Sequence, residues 1–349
     1  MIIFTIIFIF IIIIFTCTYL LYKPQKSNSN LRTFSILIAC RNEENNIPEL
    51  IESLCKINYP TDLWQVIIVD DASEDNTWQL LRDHTAGLRN FQVYHLVEKS
   101  VEYKGKKAAL KLAAENADFD YLVFTDADCI VHPEILRSYS ELLTNNTDAA
   151  IGWYLTKGAS PLQRIIDVSS GLTFALTTRM GIPFSASGMN WVVRKKAFID
   201  VGGYEKIRNE LAGDDKLLLL QVKALGNEIT FNHRYPVETK LPQGSDSQRL
   251  MRKYGKLASS PINIKLIMLI LSAFYIYLPL HILIRGYEMG LIYLTGLFLL
   301  WMIVLLRFRL KFKFSDPLFL LLIPYVLFYY VLKGSFGNWE WKGQKRNIS

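Results

Sequence analysis

The chain reads as an α/β protein, a doubly wound and mostly parallel sheet between an N-terminal transmembrane anchor and C-terminal transmembrane helices. Two patterns predict this. Across residues 31–262, short apolar runs alternate with helical periodicity, the βα rhythm of a parallel sheet covered on both faces. Long uncharged apolar runs bracket that region at both ends.

The first bracket is 1–22, in which IIFTIIFIFIIIIFTCTYLLY carries no charge and is long enough to span a bilayer. A cleaved signal peptide is the competing reading, but a basic n-region and a small-x-small cleavage site are both missing. Lys23, Lys26 and Arg32 follow at once, which places the next domain on the cytoplasmic side of a cell inner membrane. Within 31–262, FSILIA (34–39) is a buried strand, followed by a helix over about 47–56. QVIIVD (65–70) is the second strand, and Asp75 can cap the helix through WQLLRDH. FQVYHLV (91–97) alternates enough to lie near an edge, and KKAALKLAAENA is a helix by propensity. YLVF (121–124) is the fourth strand and runs directly into Asp126 and Asp128.

An isolated Asp-x-Asp is more often a turn than a site, since turns enrich aspartate. Here two further polar clusters, 40–44 and 70–75, also follow strands. Ligands of open α/β sheets bind at that edge, and two hard oxygen ligands there can hold a divalent ion. No G-x-G-x-x-G follows the first strand and no P-loop motif occurs, which disfavours dinucleotide and P-loop folds.

Farther on, SGMNWVVRKKAFIDVGGY (187–204) reads as a strand, a helix and a turn. Leu217 to Leu225 is apolar at helical spacing, with Gly226 placed to end the helix and Asp214 and Asp215 at its N-terminus. Apolar segments at 264–284 and 288–306 form a membrane hairpin, followed by the basic RFRLKFKF. The segment 317–333, with Pro324, is either a tilted span or re-entrant; the basic tail, 334–349, favours the cytoplasm, whereas an ordinary span would end outside. A formal charge of +7 fits anionic lipid and phosphate-bearing substrates, and no basic helix in the soluble part suggests nucleic acid. Cys17, Cys40, Cys55 and Cys129 have no paired metal spacing and read as reduced, structural thiols.

Taken in order, SILIACRNEENNIPELIESL, NYP, QVIIVDDASEDNT, KGKKAALKLA and FTDADC resemble the inverting, membrane-bound family 2 glycosyltransferases with the GT-A fold, over about residues 34–255. The resemblance implies a nucleotide-sugar donor, a UDP-sugar first of all, with Ala39, Arg41, Glu43, Asp71, Lys106 and Asp126 lining its site. It implies that Asp128, with Asp126, holds Mg²⁺ or Mn²⁺ on the donor diphosphate. Asp215 matches the family's catalytic base and Asp214 a supporting acid; helix capping alone would also explain that pair. Gly188 and Asn190 are implied to contact donor sugar or acceptor. Trp191 could stack on a sugar, although a core tryptophan is the commoner outcome. SQRLMRKYGK departs from the family's Q-x-x-R-W: the spacing from Gln248 to Arg252 is off by one and the tryptophan is absent. If the motif survives in altered form, the resemblance implies Arg252 near the diphosphate and Gln248 and Tyr254 near the acceptor. That puts processive synthesis in doubt, and a basic surface helix is an equal reading of the segment. His132, near the aspartate pair, could assist a metal but fits a helix start better. The implied function is transfer to a lipid-linked or glycan acceptor at the membrane lipids. The alternatives are a non-catalytic nucleotide-binding membrane scaffold and a processive polysaccharide synthase.

Overall fold

The computed structural model describes residues 31–240 apart from 212 and 227, residues 287–317, and scattered positions beyond. The described residues fall into two compact units, one of 31–158 with 167–240, the other of 159–166 with the described residues from 287 onward.

The first unit is built on strands β1 (Phe34–Cys40), β2 (Trp64–Asp71), β3 (Phe91–Leu96) and β4 (Tyr121–Phe124). They pair in parallel in the order β3-β2-β1-β4, with Phe34 opposite both Trp64 and Tyr121. Every residue of β2 and β4 is buried, as continuous apolar runs covered on two faces must be. Residues of β3 are half-buried throughout, in keeping with its place at the sheet edge. Helices α1 (Ile47–Cys55), α2 (Thr77–Thr85) and α3 (Lys107–Glu115) make the parallel crossovers. The cap position of α2 is Asn76, which makes no side-chain cap bond, and not the expected Asp75. Asp75 lies one residue earlier, where its Oδ1 accepts the Thr77 N–H at 3.0 Å.

Beyond β4 the sheet changes direction, which the expected strand–helix alternation did not include. Strand β8 (Trp191–Arg194) runs antiparallel between β4 and β6 (Thr147–Ile151), and β9 (Glu228–Phe231) closes the edge parallel to β6. A small sheet of β5 (Cys129–Ile130), β10 (Val237–Thr239) and β7 (Tyr154–Thr156) lies beside the chain leaving β4. Helix α4 (Ile135–Leu142) buries Ile135, Leu136 and Tyr139, and α6 (Lys195–Asp200) follows β8 directly. The latter ends in the expected glycine turn, where Gly202 and Gly203 take φ of 83° and 56°. Helix α7 (Asp214–Ala224) starts after Gly213, φ 92°, with both aspartates in its first turn.

Helix α5 (Pro161–Arg179) has its first residues in the second unit. In that unit the segment expected at 288–306 forms α8 (Tyr287–Arg307). Its side chains are described only from 295 onward, apart from 297. Among the described residues no helix is long and apolar enough to cross a membrane. The expected anchor, 1–22, and the expected segment 264–284 lie outside the described residues, as do Gln248, Arg252 and Tyr254.

Candidate active site

The loops that leave β1 and β2 lock onto each other. The Asn42 N–H donates to Ser73 Oγ at 2.9 Å, and the Glu74 N–H returns to Asn42 Oδ1 at 2.9 Å. Glu44 N–H donates to Asp75 Oδ2 at 3.2 Å, and Glu43 N–H to Thr77 Oγ1 at 2.8 Å. Asn42 and Ala72 sit at φ of 54° and 55°, a region non-glycine residues seldom enter and which this network holds in place. On this edge Arg41 pairs with Glu74 at 2.9 Å, and Asp71 is buried at the end of β2.

Asp70 forms a cluster that sequence reasoning missed. Fully buried, it accepts from Ser73 Oγ and lies 2.7 Å from His95 Nδ1 of β3. The His95 ring stacks on Trp78, centroids 4.9 Å apart. The signal was register: in parallel pairing His95 stands directly opposite Asp70.

At the end of β4, Lys106 donates to Asp126 Oδ1, and its Nζ lies 3.6 Å from Asp214 Oδ2. Burial opposes the Lys106 charge, but Asp126, Asp214 and Asp215 together raise its pKa well above the ordinary range. Both oxygens of Asp215 accept backbone N–H groups, Oδ2 from Gly188 at 2.9 Å and Oδ1 from Lys216 at 2.8 Å. A Cβ placed on Gly188 would lie 3.3 Å from Lys106 Nζ, 3.8 Å from Asp215 Oδ2 and 3.9 Å from Asp214 Oδ2. Residues from four separate segments therefore converge on one point. The hydroxyl of Tyr204, the aromatic of the glycine turn, feels Asp214, Lys106, Asp215 and Asp126, and burial first of all keeps it protonated.

Asp128 is tied to the small sheet. Its carboxylate accepts from Thr239 Oγ1 at 3.3 Å and from the Cys129 thiol at 3.5 Å. Burial, then the charges of Asp126 and Glu43, push its pKa up to about 6. Carboxylates that crowd one another out of water fit a hard divalent cation, which would relieve that repulsion. Among the described residues no group of three or more His, Cys, Asp or Glu is assembled to hold a metal, so further ligands would have to come from a bound phosphate or water.

Two sequence expectations change. Trp191 is buried and stacks on Phe124, centroids 4.9 Å apart, so its ring is closed to a sugar. Asn190 is buried as well: its Oδ1 accepts the Tyr139 hydroxyl at 2.5 Å and its Nδ2 donates to the Trp153 carbonyl at 2.7 Å. Both hold β8 against its neighbours. His132 accepts the Glu134 N–H at 3.1 Å and stacks on Tyr235, as a helix-start residue does.

Residues 35–202 match the family model described as glycosyl transferase family 2. This domain is a family 2 glycosyltransferase. Among curated proteins, glycosyltransferase AglE of Haloferax volcanii is 24% identical over 209 residues, 59% of this chain and 66% of that protein. The poly(ribitol-phosphate) beta-N-acetylglucosaminyltransferase TarS of Staphylococcus aureus is 31% identical over 104 residues, 30% of this chain and 18% of that protein. The chain thus spans less than two thirds of either relative. Among solved structures, mannosyltransferase PcManGT from Pyrobaculum calidifontis, in complex with GDP-Man and Mn²⁺, matches with a TM-score of 0.59 at 16% identity. That match covers 93% of this chain and 98% of the other. The likeness supports the GT-A fold of the family 2 domain.

Proposed function

We propose that the protein is an inverting glycosyltransferase that moves a sugar from a nucleoside diphosphate sugar to a lipid-linked or glycan acceptor at a membrane. The observation that carries this reading is the convergence of Lys106, Asp126, Asp214 and Asp215 on Gly188. One acid is aligned by two backbone N–H groups, and a lysine bridges two others.

The donor's nucleoside would lie along the interlocked loops after β1 and β2, against Ala39, Arg41, Glu43 and Asp71. Its diphosphate would meet the cationic Lys106. Asp126 and Asp128 would hold Mg²⁺ or Mn²⁺, which when bound supplies Lewis-acid neutralisation of the leaving diphosphate. Asp215 takes the proton of the acceptor hydroxyl as that oxygen attacks the anomeric carbon. The bond from that carbon to the diphosphate oxygen breaks, and the nucleoside diphosphate departs with the electron pair. Asp214, paired with Lys106, keeps that ammonium in place.

The membrane part of the reading rests on the uncharged run within 1–22, the apolar segments 264–284 and 288–306, and the basic flanks. They support a multi-pass inner-membrane protein with its catalytic domain cytoplasmic and an amphiphilic acceptor. The decisive experiment incubates the purified full chain with UDP-, GDP- and dTDP-sugars, with and without Mn²⁺, and measures nucleoside diphosphate release. GDP-mannose is an early probe because PcManGT was solved with it. Release from no donor under any divalent ion would refute the reading.

A further inference from the structure

The turn after α8 displays a pattern that the transfer chemistry does not use. Arg309, Lys311, Phe312, Lys313 and Phe314 are all exposed. Phe314 is 97% exposed and Leu306, just before the turn, 74%. Large apolar side chains left in water are unfavourable, so several together call for a partner. The rings form a row: Phe312 lies edge-on to Phe298 of α8 and to Phe314, each pair 5.9 Å apart.

This display is built and held. Asp316, wholly buried, accepts the Trp301 indole N–H at 3.1 Å and the Lys313 backbone N–H at 3.2 Å. Arg164 pairs with the same carboxylate at 2.6 Å and donates to the Lys311 carbonyl at 2.5 Å. Buried ion pairs of this kind contribute little net stability and are best explained by the geometry they fix. Here that geometry is the turn carrying Lys311 to Lys313.

We infer that the Arg309–Phe314 turn docks on an anionic lipid leaflet. Arg309, Lys311 and Lys313 meet phosphate headgroups, and Phe312 and Phe314 enter the boundary with the acyl chains. The alternation of cation and aromatic matches the layering of that surface, charged outside and apolar just beneath. Exposed Leu299 and Leu306 on the adjoining helix continue the apolar side. That continuity favours lipid over single-stranded RNA, whose bases the rings could otherwise stack on. The inference rests on the membrane reading above and adds a lipid preference to it.

The test attaches a nitroxide label to Phe314→Cys in the full chain, with Cys17 and Cys55 replaced by serine. The protein is reconstituted in phosphatidylcholine vesicles with or without phosphatidylglycerol. Collision with oxygen is compared with collision with a water-soluble nickel chelate. The expected result is a label shielded from nickel and open to oxygen only when phosphatidylglycerol is present, and returned to water by Lys311→Gln with Lys313→Gln. Equal nickel access in every vesicle, or shielding indifferent to lipid charge, overturns the inference. Retention on poly(U) that the double substitution abolishes, without shielding by lipid, overturns it in favour of RNA. Vesicle flotation of the same samples tests the membrane reading separately: a chain that floats with its label in water loses the docking turn alone, and one that does not float loses both.

Discussion

The backbone N–H of Gly188 donates to Asp215 Oδ2 at 2.9 Å, so the segment before β8 aims the acid that begins α7. Asp215→Asn keeps the shape and removes the proton acceptor. Transfer should fall by about 10²–10⁴-fold, the usual contribution of a general base, while donor binding is retained. Calorimetric titration with the nucleoside diphosphate beside a turnover assay checks this, and full turnover in the variant would sink the assignment.

Gly188→Ala places a methyl 3.3 Å from Lys106 Nζ, a contact tighter than most carbon atoms make. The lysine has to shift off the acids it bridges. The expected result is a large loss of turnover with little change in Tm, because the methyl meets flexible side-chain ends rather than backbone. A circular dichroism melt beside the activity assay separates the two effects.

Lys107 is a positioning residue on the same evidence of placement. Its buried ammonium donates to the Lys104 carbonyl at 3.1 Å and to the Glu210 carbonyl, tying the start of α3 to the segment that leads into Asp214. The Lys104 N–H to Arg208 carbonyl bond, 2.8 Å, and the Arg208–Glu102 pair, 2.9 Å, stitch the same two segments. Lys107→Met should cost about 1.5–3 kcal/mol by removing hydrogen bonds made by a charged donor. It should lower kcat more than it raises the donor KM, and Lys107→Arg should restore part of the loss. Unchanged kcat alongside a reduced Tm would reduce Lys107 to a purely structural residue.

Asp128 sets a pH dependence. Its folded pKa of about 6 lies above the ordinary 3.8. The folded state therefore binds more protons than the unfolded chain between those values, and metal-free stability falls as pH rises through that window. The difference amounts to about 3 kcal/mol at neutral pH. Asp128→Asn should flatten the curve, and Mn²⁺ should raise Tm more at pH 7 than at pH 5, readable in thermal melts across pH. A flat wild-type curve would remove Asp128 from the acidic cluster.

Gly152 marks where the fold tolerates no side chain. A Cβ there would stand 2.4 Å from Asn190 Cγ, inside the bond network that joins Asn190 to Tyr139 and Trp153. Gly152→Ala should destabilise the domain by about 1–3 kcal/mol, as overpacking of a filled interior does. Urea denaturation measures this directly.

The parallel half of the sheet was legible because its signals are local: apolar runs of strand length, with acids at their ends. β1, β2, β3 and β4 all lie where the pattern put them. The antiparallel half was not, because β6, β8 and β9 owe their pairing to partners far along the chain. The same limit applies to the site. Asp126, Asp128, Asp214 and Asp215 stand out by composition, whereas His95 gains its meaning only when β3 sets it opposite Asp70. Trp191 and Asn190 stood in a suggestive segment, but burial, which no single residue announces, decided for the core.

The reversal of strand direction at β4 separates two kinds of freedom in this molecule. Under the proposed function, nucleoside-reading residues sit on the parallel side and proton-handling residues beyond the reversal. Drift toward another nucleobase at Ala39, Arg41 or Asp71 therefore need not disturb the acids at 214–215. Lys106 has no such latitude, since it touches Asp126 from one half and Asp214 from the other. Laboratory evolution for a new donor should accept changes at the sheet edge early and leave Lys106 untouched.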